Sequence, residues 1–220
     1  MRYYQPDIIY EDHQVIAVEK PAGLLTIASA QEKEATLYHY VHDYLVRRWG
    51  RDERVFIVHR LDQDTSGVIV FAKDFQVKED LQELFAEGQP VRRYQALLSK
   101  MPEEKEGRIV IYLEEDRMGN VFLADHPSRY AEKAITDYKI VGIQRGHPCA
   151  EVLIHTGKRN QIRLSFLSLG CPILGDKKYG GPKASRLFLH ASELDLRCYK
   201  DLPCFDFRSE VSLFEECKPI

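Results

Sequence analysis

The sequence predicts an α+β fold: a mixed, mainly antiparallel sheet flanked by helices and loops. Strand-like and helix-like segments interleave along the 220 residues without an internal repeat. Strand–helix–strand units are too few for a doubly wound parallel sheet. A third observation locates the core, because Val68-Ile69-Val70-Phe71-Ala72 is a continuous apolar run, as expected of a strand buried on both faces.

Val15–Val18 reads as a short strand stopped by Pro21 and Gly23. From Ala35 to Trp49, Leu37, Val41, Tyr44, Leu45 and Trp49 recur at helical spacing, and Gly50 suits the end of that helix. After the apolar run, Asp74 can cap a helix through Val77, Leu81, Leu84 and Phe85, ending at Gly88. Strands are predicted at Tyr94–Leu98, Ile109–Leu113, Ala134–Val141 and Ala150–His155, with a helix over Asn160–Leu169 ending on Gly170 and a strand at Leu187–His190. Residues 101–132 are the most loop-like stretch, broken by Pro102, Gly107, Gly119 and Pro127. No linker divides the chain, so residues 1–220 are expected to form a single domain.

Composition is that of an ordinary globular protein, 44% hydrophobic and 30% charged. No apolar run approaches the roughly 20 residues a membrane helix needs, and Asp7, Glu11, Asp12 and Glu19 make the first residues unlike a secretory signal. A cytoplasmic, non-membrane protein is expected. The five cysteines are odd in number and include no Cys-x-x-Cys pair, which predicts isolated thiols rather than disulfides or zinc. A formal charge of −3 excludes a generally basic nucleic-acid coat, so any RNA site must be a local concentration of cations. Such concentrations occur at Arg47, Arg48, Arg51 and Arg54, at Arg92 and Arg93, at Lys158, Arg159 and Arg163, and at Lys177, Lys178, Lys183 and Arg186. Each alone is compatible with a solvated face.

The segment richest in chemistry is His59-Arg60-Leu61-Asp62-Gln63-Asp64-Thr65-Ser66-Gly67. As a calcium loop it fails, because Lys73 stands where a bidentate glutamate is required. Asp62 and Asp64 have the spacing of an aspartyl-phosphate phosphatase, but the further carboxylates that hold magnesium reduce to Asp176, between Gly175 and Lys177-Lys178. As a polar turn, Thr65, Ser66 and Gly67 are accounted for and His-Arg-x-Asp is not.

The nonamer, followed by Ala72-Lys73, resembles the signature of RluA-type pseudouridine synthases, whose aspartate falls on Asp62. Val18-Glu19-Lys20-Pro21-Ala22-Gly23-Leu24 is similar to that family's Lys-Pro-x-Gly segment. Arg93–Leu97 resembles its tyrosine-bearing strand, and Ala134–Tyr138 its Ala-x-Thr-x-Tyr strand. Thr156–Arg163 with Gly170–Gly180 resembles its closing block, and Leu187–Ala191 the strand that follows. The motifs are collinear from Val18 to Ala191. The chain departs from the pattern at two places: Lys158-Arg159-Asn160 stands where Arg-Thr-His is common, and Ser165 where histidine is frequent. The chain begins almost directly at the Lys-Pro motif, so no S4-type RNA-binding module is expected and substrate choice should rest on the catalytic domain.

The resemblance implies an RNA isomerase acting on ribosomal or transfer RNA, with neither metal nor organic cofactor. A carboxylate suits the chemistry, either as nucleophile at the anomeric carbon or as base at the adjacent sugar carbon. Asp62 is the implied catalytic carboxylate, Arg163 its charge partner, and Tyr94 the base-stacking residue. The target base must leave its stack, and Arg60 is the candidate to hold the extruded nucleotide, with His59 read as structural. Lys158, Arg159 and Lys177 are expected to meet phosphates. The partner is a structured RNA and the protein is expected to be a monomer. The competing reading is an RNA-binding or ribosome-assembly protein on the same fold whose catalysis is dispensable.

Overall fold

The apolar run Val68–Ala72 lies in a strand, Ser66–Ala72, and every one of its residues is buried. The computed structural model describes residues 4–28, 35–200 and 202–220. In chain order the elements are β1 (Asp7–Glu11), β2 (Val15–Lys20), α1 (Leu37–Trp49), β3 (Phe56–Ile57), β4 (Ser66–Ala72), α2 (Phe75–Ala86), β5 (Val91–Leu97), β6 (Glu106–Glu115), β7 (Val121–Leu123), β8 (Glu132–Gln144), β9 (His147–Ile154), α3 (Gln161–Ser168), β10 (Leu189–Tyr199) and β11 (Leu202–Arg208). This is the α+β class that the sequence predicts. The chain divides into two compact units. The first holds the described residues up to Val91 with Ala191–Val211, the second Arg92–His190 with Ser212–Ile220.

In the first unit the strands neighbour one another in the order β1-β2-β4-β10, with β11 on β10 and β3 on β4. β2 and β4 pair antiparallel in unbroken register from Val15 opposite Ala72 to Lys20 opposite Gly67. One face of this sheet sends Val15, Ala17, Val68, Val70 and Ala72 into a core shared with Val77, Leu81 and Leu84 of α2 and with Leu194, Leu196, Phe205 and Phe207. Each fully buried leucine of α2 is worth about 2–5 kcal/mol against alanine. Asp74 caps α2 as expected, its carboxylate accepting from the N–H groups of Gln76 and Val77. Thr36 caps α1, which buries Leu37, Val41 and Leu45 at successive helical turns. Among the described residues no helix is long and apolar enough to cross a membrane.

In the second unit the order is β5-β9-β8-β6-β7, and the pairings are antiparallel. α3 lies on this sheet beside β6, β7 and β8. Phe166 of α3 meets Tyr138 of β8 edge-on, ring centres 5.6 Å apart.

The structure adds strands that the sequence reading omits. β6 runs beyond the expected Ile109–Leu113 at both ends and β7 is added within the stretch read as most loop-like, while β1, β3, β11 and the outer half of β10 were not expected. β11 nevertheless alternates, burying Leu202, Phe205 and Phe207 and exposing Asp206 and Arg208. The expectation of isolated thiols is also corrected: Cys198 and Cys204 form a disulfide between β10 and β11, with Cα atoms 4.2 Å apart. Their pairing is set by strand register, to which cysteine count and spacing are blind. Cys149, Cys171 and Cys217 are free thiols.

Candidate active site

In the first unit Asp62 lies half-buried on the loop between β3 and β4, with Arg60 exposed beside it. The backbone on both sides of Asp62 is held. Thr26 Oγ1 donates to the Leu61 carbonyl at 2.9 Å, and the Gly23 N–H donates to the Gln63 carbonyl at 2.9 Å. The Thr65 N–H closes a tight turn on the Asp62 carbonyl at 3.1 Å. Beneath the loop, Lys20 is completely buried, and its ammonium donates to the carbonyls of Leu24 at 2.6 Å, Gln63 at 2.8 Å and Pro21 at 3.0 Å. The Lys-Pro-x-Gly segment is therefore a clamp on the carboxylate loop. Lys20 was not among the expected site residues, and its place in the Lys-Pro-x-Gly motif is the one signal the sequence carries for it.

Two further residues of the nonamer, His59 and Gly67, have structural roles. His59 Nε2 accepts from the Val70 N–H at 3.1 Å and its ring stacks on Phe85 at 4.6 Å, which supports the structural reading of that histidine. Gly67 adopts φ +120°, and a Cβ there would lie 2.2 Å from the Ala191 carbonyl oxygen. Only glycine permits that approach of β4 to β10.

In the second unit Arg163 is buried on α3. Its Nε and Nη2 donate to the two carboxylate oxygens of Asp176 at 2.8 and 2.7 Å, a planar bidentate pair, and its guanidinium lies 4.9 Å from the centre of the Tyr179 ring. Asp176 also accepts from the N–H groups of Lys178 and Tyr179. It thus orients an arginine, a role that its sequence neighbours, two lysines, do not advertise.

The two departures from the family pattern find their places in this network. Asn160 takes φ +58°, a left-handed conformation asparagine tolerates, and its Oδ1 accepts from Arg163 Nη1 at 2.9 Å. Ser165 is buried and its hydroxyl bonds to that of Thr136 at 3.1 Å. Gln161 completes the anchorage of α3, donating to Thr136 Oγ1 and the Ile135 carbonyl at 2.9 Å each and accepting from Thr156 and the Lys158 N–H. The Ala-x-Thr-x-Tyr strand is thereby explained as the bed of the arginine helix.

Tyr94 sits on β5 opposite Val152 and is 9% exposed. Two residues before it, burial pulls the Arg92 guanidinium below its ordinary pKa. A Cβ at Gly157 would stand 2.5 Å from Arg92 Nη1, so that glycine leaves room for the guanidinium. The three cations expected to meet phosphate differ in their surroundings. Lys158 pairs with Glu132, Arg159 pairs with Glu115 and donates to the Gly119 carbonyl, and Lys177 is exposed. Among the described residues no three His, Cys, Asp or Glu side chains gather as metal ligands.

A family model described as RNA pseudouridylate synthase matches residues 14–168. An uncharacterized RNA pseudouridine synthase of Zymomonas mobilis is 31% identical over 198 residues, covering 86% of this chain and 86% of that protein. The dual-specificity RNA pseudouridine synthase RluA of Escherichia coli K12 is 33% identical over 203 residues, covering 86% of this chain and 85% of its own length. Among solved structures, human RNA pseudouridylate synthase domain containing 4 superposes with a TM-score of 0.78 at 26% identity, over 94% of this chain and 89% of that one.

Proposed function

The chain belongs to the RNA pseudouridylate synthase family, and from that premise we propose that it converts a specific uridine of ribosomal or transfer RNA to pseudouridine, with Asp62 as the catalytic carboxylate. The enzyme is an isomerase, and the reaction is redox-neutral. The bond from the sugar C1′ to N1 of uracil breaks, the base turns, and C1′ bonds C5; the C5 proton departs and N1 gains one. The observation that carries the assignment is the clamped loop, which holds the residues before and after Asp62 by hydrogen bonds from Thr26 and Lys20. A carboxylate acting on one sugar carbon must be positioned before substrate arrives, and such preorganisation is what fixed backbone provides.

The remaining roles are part of the same proposal. Tyr94 stacks the target base, and Arg163, oriented by Asp176, supplies positive charge for the catalytic carboxylate. Arg60 holds the extruded nucleotide, while Lys158, Arg159 and Lys177 bind backbone phosphate of the structured RNA. The same proposal has the protein act as a monomer, with residues 1–220 as one catalytic domain. An RNA substrate supports action in the cytoplasm. No step is routed through a metal or organic cofactor.

The test is tritium release from RNA labelled with 5-tritiated uridine, run with EDTA on prefolded RNA. Asp62→Asn keeps the shape and removes the charge, so release should stop while RNA binding survives. Asp64→Asn should retain most of the rate, because Asp64 would only organise the turn. Wild-type release from Asp62→Asn would refute the assignment, and a requirement for magnesium on prefolded RNA would return the metal-dependent readings of the nonamer.

A further inference from the structure

Trp49 is the one tryptophan of the sequence and is 57% exposed at the end of α1. An indole left in water needs a reason, because tryptophan is highly buried on average. This one is also held still. Its Nε1 donates to Glu11 at 2.8 Å, and Glu11 accepts in addition from Lys73 at 3.0 Å and from the Tyr44 hydroxyl at 3.1 Å. The Arg48 guanidinium lies 5.0 Å from the indole centre and the Lys73 ammonium 6.0 Å. The ring borders a cavity of about 660 Å³ whose wall carries Arg48, Arg54 and Lys73 together with the carboxylates of Glu11, Asp12, Asp52, Glu53 and Asp74.

The stretch that carries the indole is locally rich in arginine on a chain that is acidic overall. Arg47, Arg48, Arg51 and Arg54 are all exposed, with only Asp52 and Glu53 among them. Three of the lining carboxylates are engaged by the protein itself: Glu11 by Trp49, Lys73 and Tyr44, Asp12 by the N–H groups of Gln14 and Val15, and Asp74 by the first turn of α2. Arg47 and Arg48 suit the negative end of the α1 dipole, but Arg51 and Arg54 lie beyond the helix and are not accounted for that way.

An exposed, immobilised indole among exposed guanidinium groups matches single-stranded RNA, in which bases present π faces and phosphates lie between them. We propose that the end of α1 is a second RNA-contact surface, where Trp49 stacks one unpaired base away from the reacting uridine and Arg47, Arg48, Arg51 and Arg54 hold the flanking phosphates. This deepens the proposed function and rests on it. Because the indole is already pinned through Nε1, stacking orders little that was free.

With a single tryptophan, all tryptophan emission from the full chain reports on this site. The protein is titrated with RNA deproteinised from cells lacking the enzyme and with a short oligoadenylate, while filter binding gives affinity independently. Emission should be quenched along the same curve as binding, and salt should reverse it. Trp49→Ala should weaken binding about 5- to 150-fold, the range for loss of one base–aromatic stack. Arg51→Ala with Arg54→Ala, both at exposed positions outside regular structure, should weaken binding and flatten the salt dependence even if Trp49→Ala fails to fold. RNA that binds without quenching, together with unchanged affinity in the arginine variant, would overturn the inference and leave the isomerase reading standing. Quenching by polyglutamate that RNA does not compete away would also overturn it, in favour of an acidic protein partner. A wild-type enzyme that neither binds RNA nor releases tritium would instead refute the proposed function.

Discussion

The ammonium of Lys20 lies 2.8 Å from the carbonyl oxygen of Gln63, the residue that follows Asp62. With the Pro21 and Leu24 carbonyls it makes a three-acceptor knot around a lysine that is itself wholly buried. A buried ammonium is tolerated only when its donors are used, and here three carbonyls use them. Lys20→Met keeps the length of the side chain and removes every donor. The carbonyls left behind would cost about 1–3 kcal/mol each where water cannot reach them. We expect a lowered urea midpoint and a single-turnover rate that falls further than RNA affinity, because the loop loses its position. Wild-type rate and midpoint together would show that the clamp is dispensable.

The same logic applies to Asp176, which is buried with Arg163. Asp176→Asn leaves a buried guanidinium facing a neutral amide, and breaking one side of a buried pair typically costs about 3–5 kcal/mol. Stability should drop by that order. Among molecules that remain folded, kcat should fall while KM changes little, since a positioning residue acts through Arg163. A matched loss in the Arg163→Lys variant would support bidentate geometry as the requirement, because lysine offers a point charge and no fork. An Asp176→Asn enzyme with normal kcat would remove Asp176 from the site.

Tyr94 has two roles to separate, since a residue only 9% exposed is also part of the core. Tyr94→Phe should fold normally and lose little if stacking is the main contribution. Tyr94→Ala should nearly abolish turnover, through a stacking loss of about 1–3 kcal/mol and a core cavity of about 3–5 kcal/mol. Circular dichroism on the same sample distinguishes the two, and a folded Tyr94→Ala enzyme with wild-type single-turnover rate would return Tyr94 to the core alone.

Lys158 and Arg159 engage Glu132 and Glu115 through exposed ion pairs of the kind worth about 0–1 kcal/mol. Phosphates can displace such partners. Affinity for RNA should therefore fall with salt at a slope near −0.7 per phosphate contacted on single strands, and Lys158→Ala with Arg159→Ala should make the slope shallower by about 1.4. The same slope in wild type and double variant would place the phosphates elsewhere.

What the chain determined by itself is whatever a run of neighbouring residues records. β4 was visible because its buried positions Val68–Ala72 form an unbroken apolar run, α2 because Asp74 caps a stripe at helical spacing, and the order of motifs because each motif is contiguous. β1 and the late hairpin of β10 and β11 escaped because charged and exposed residues break their runs, and β3 because two residues are too short to show a pattern. Partnership was left to the tertiary structure. Lys20 reaches Gln63 across 43 residues, Arg163 reaches Asp176 across 13, and Cys198 finds Cys204 through strand register. Periodicity reports which side of an element is buried. Which donor meets which carbonyl or carboxylate depends on how the elements pack, and only the folded chain decides that.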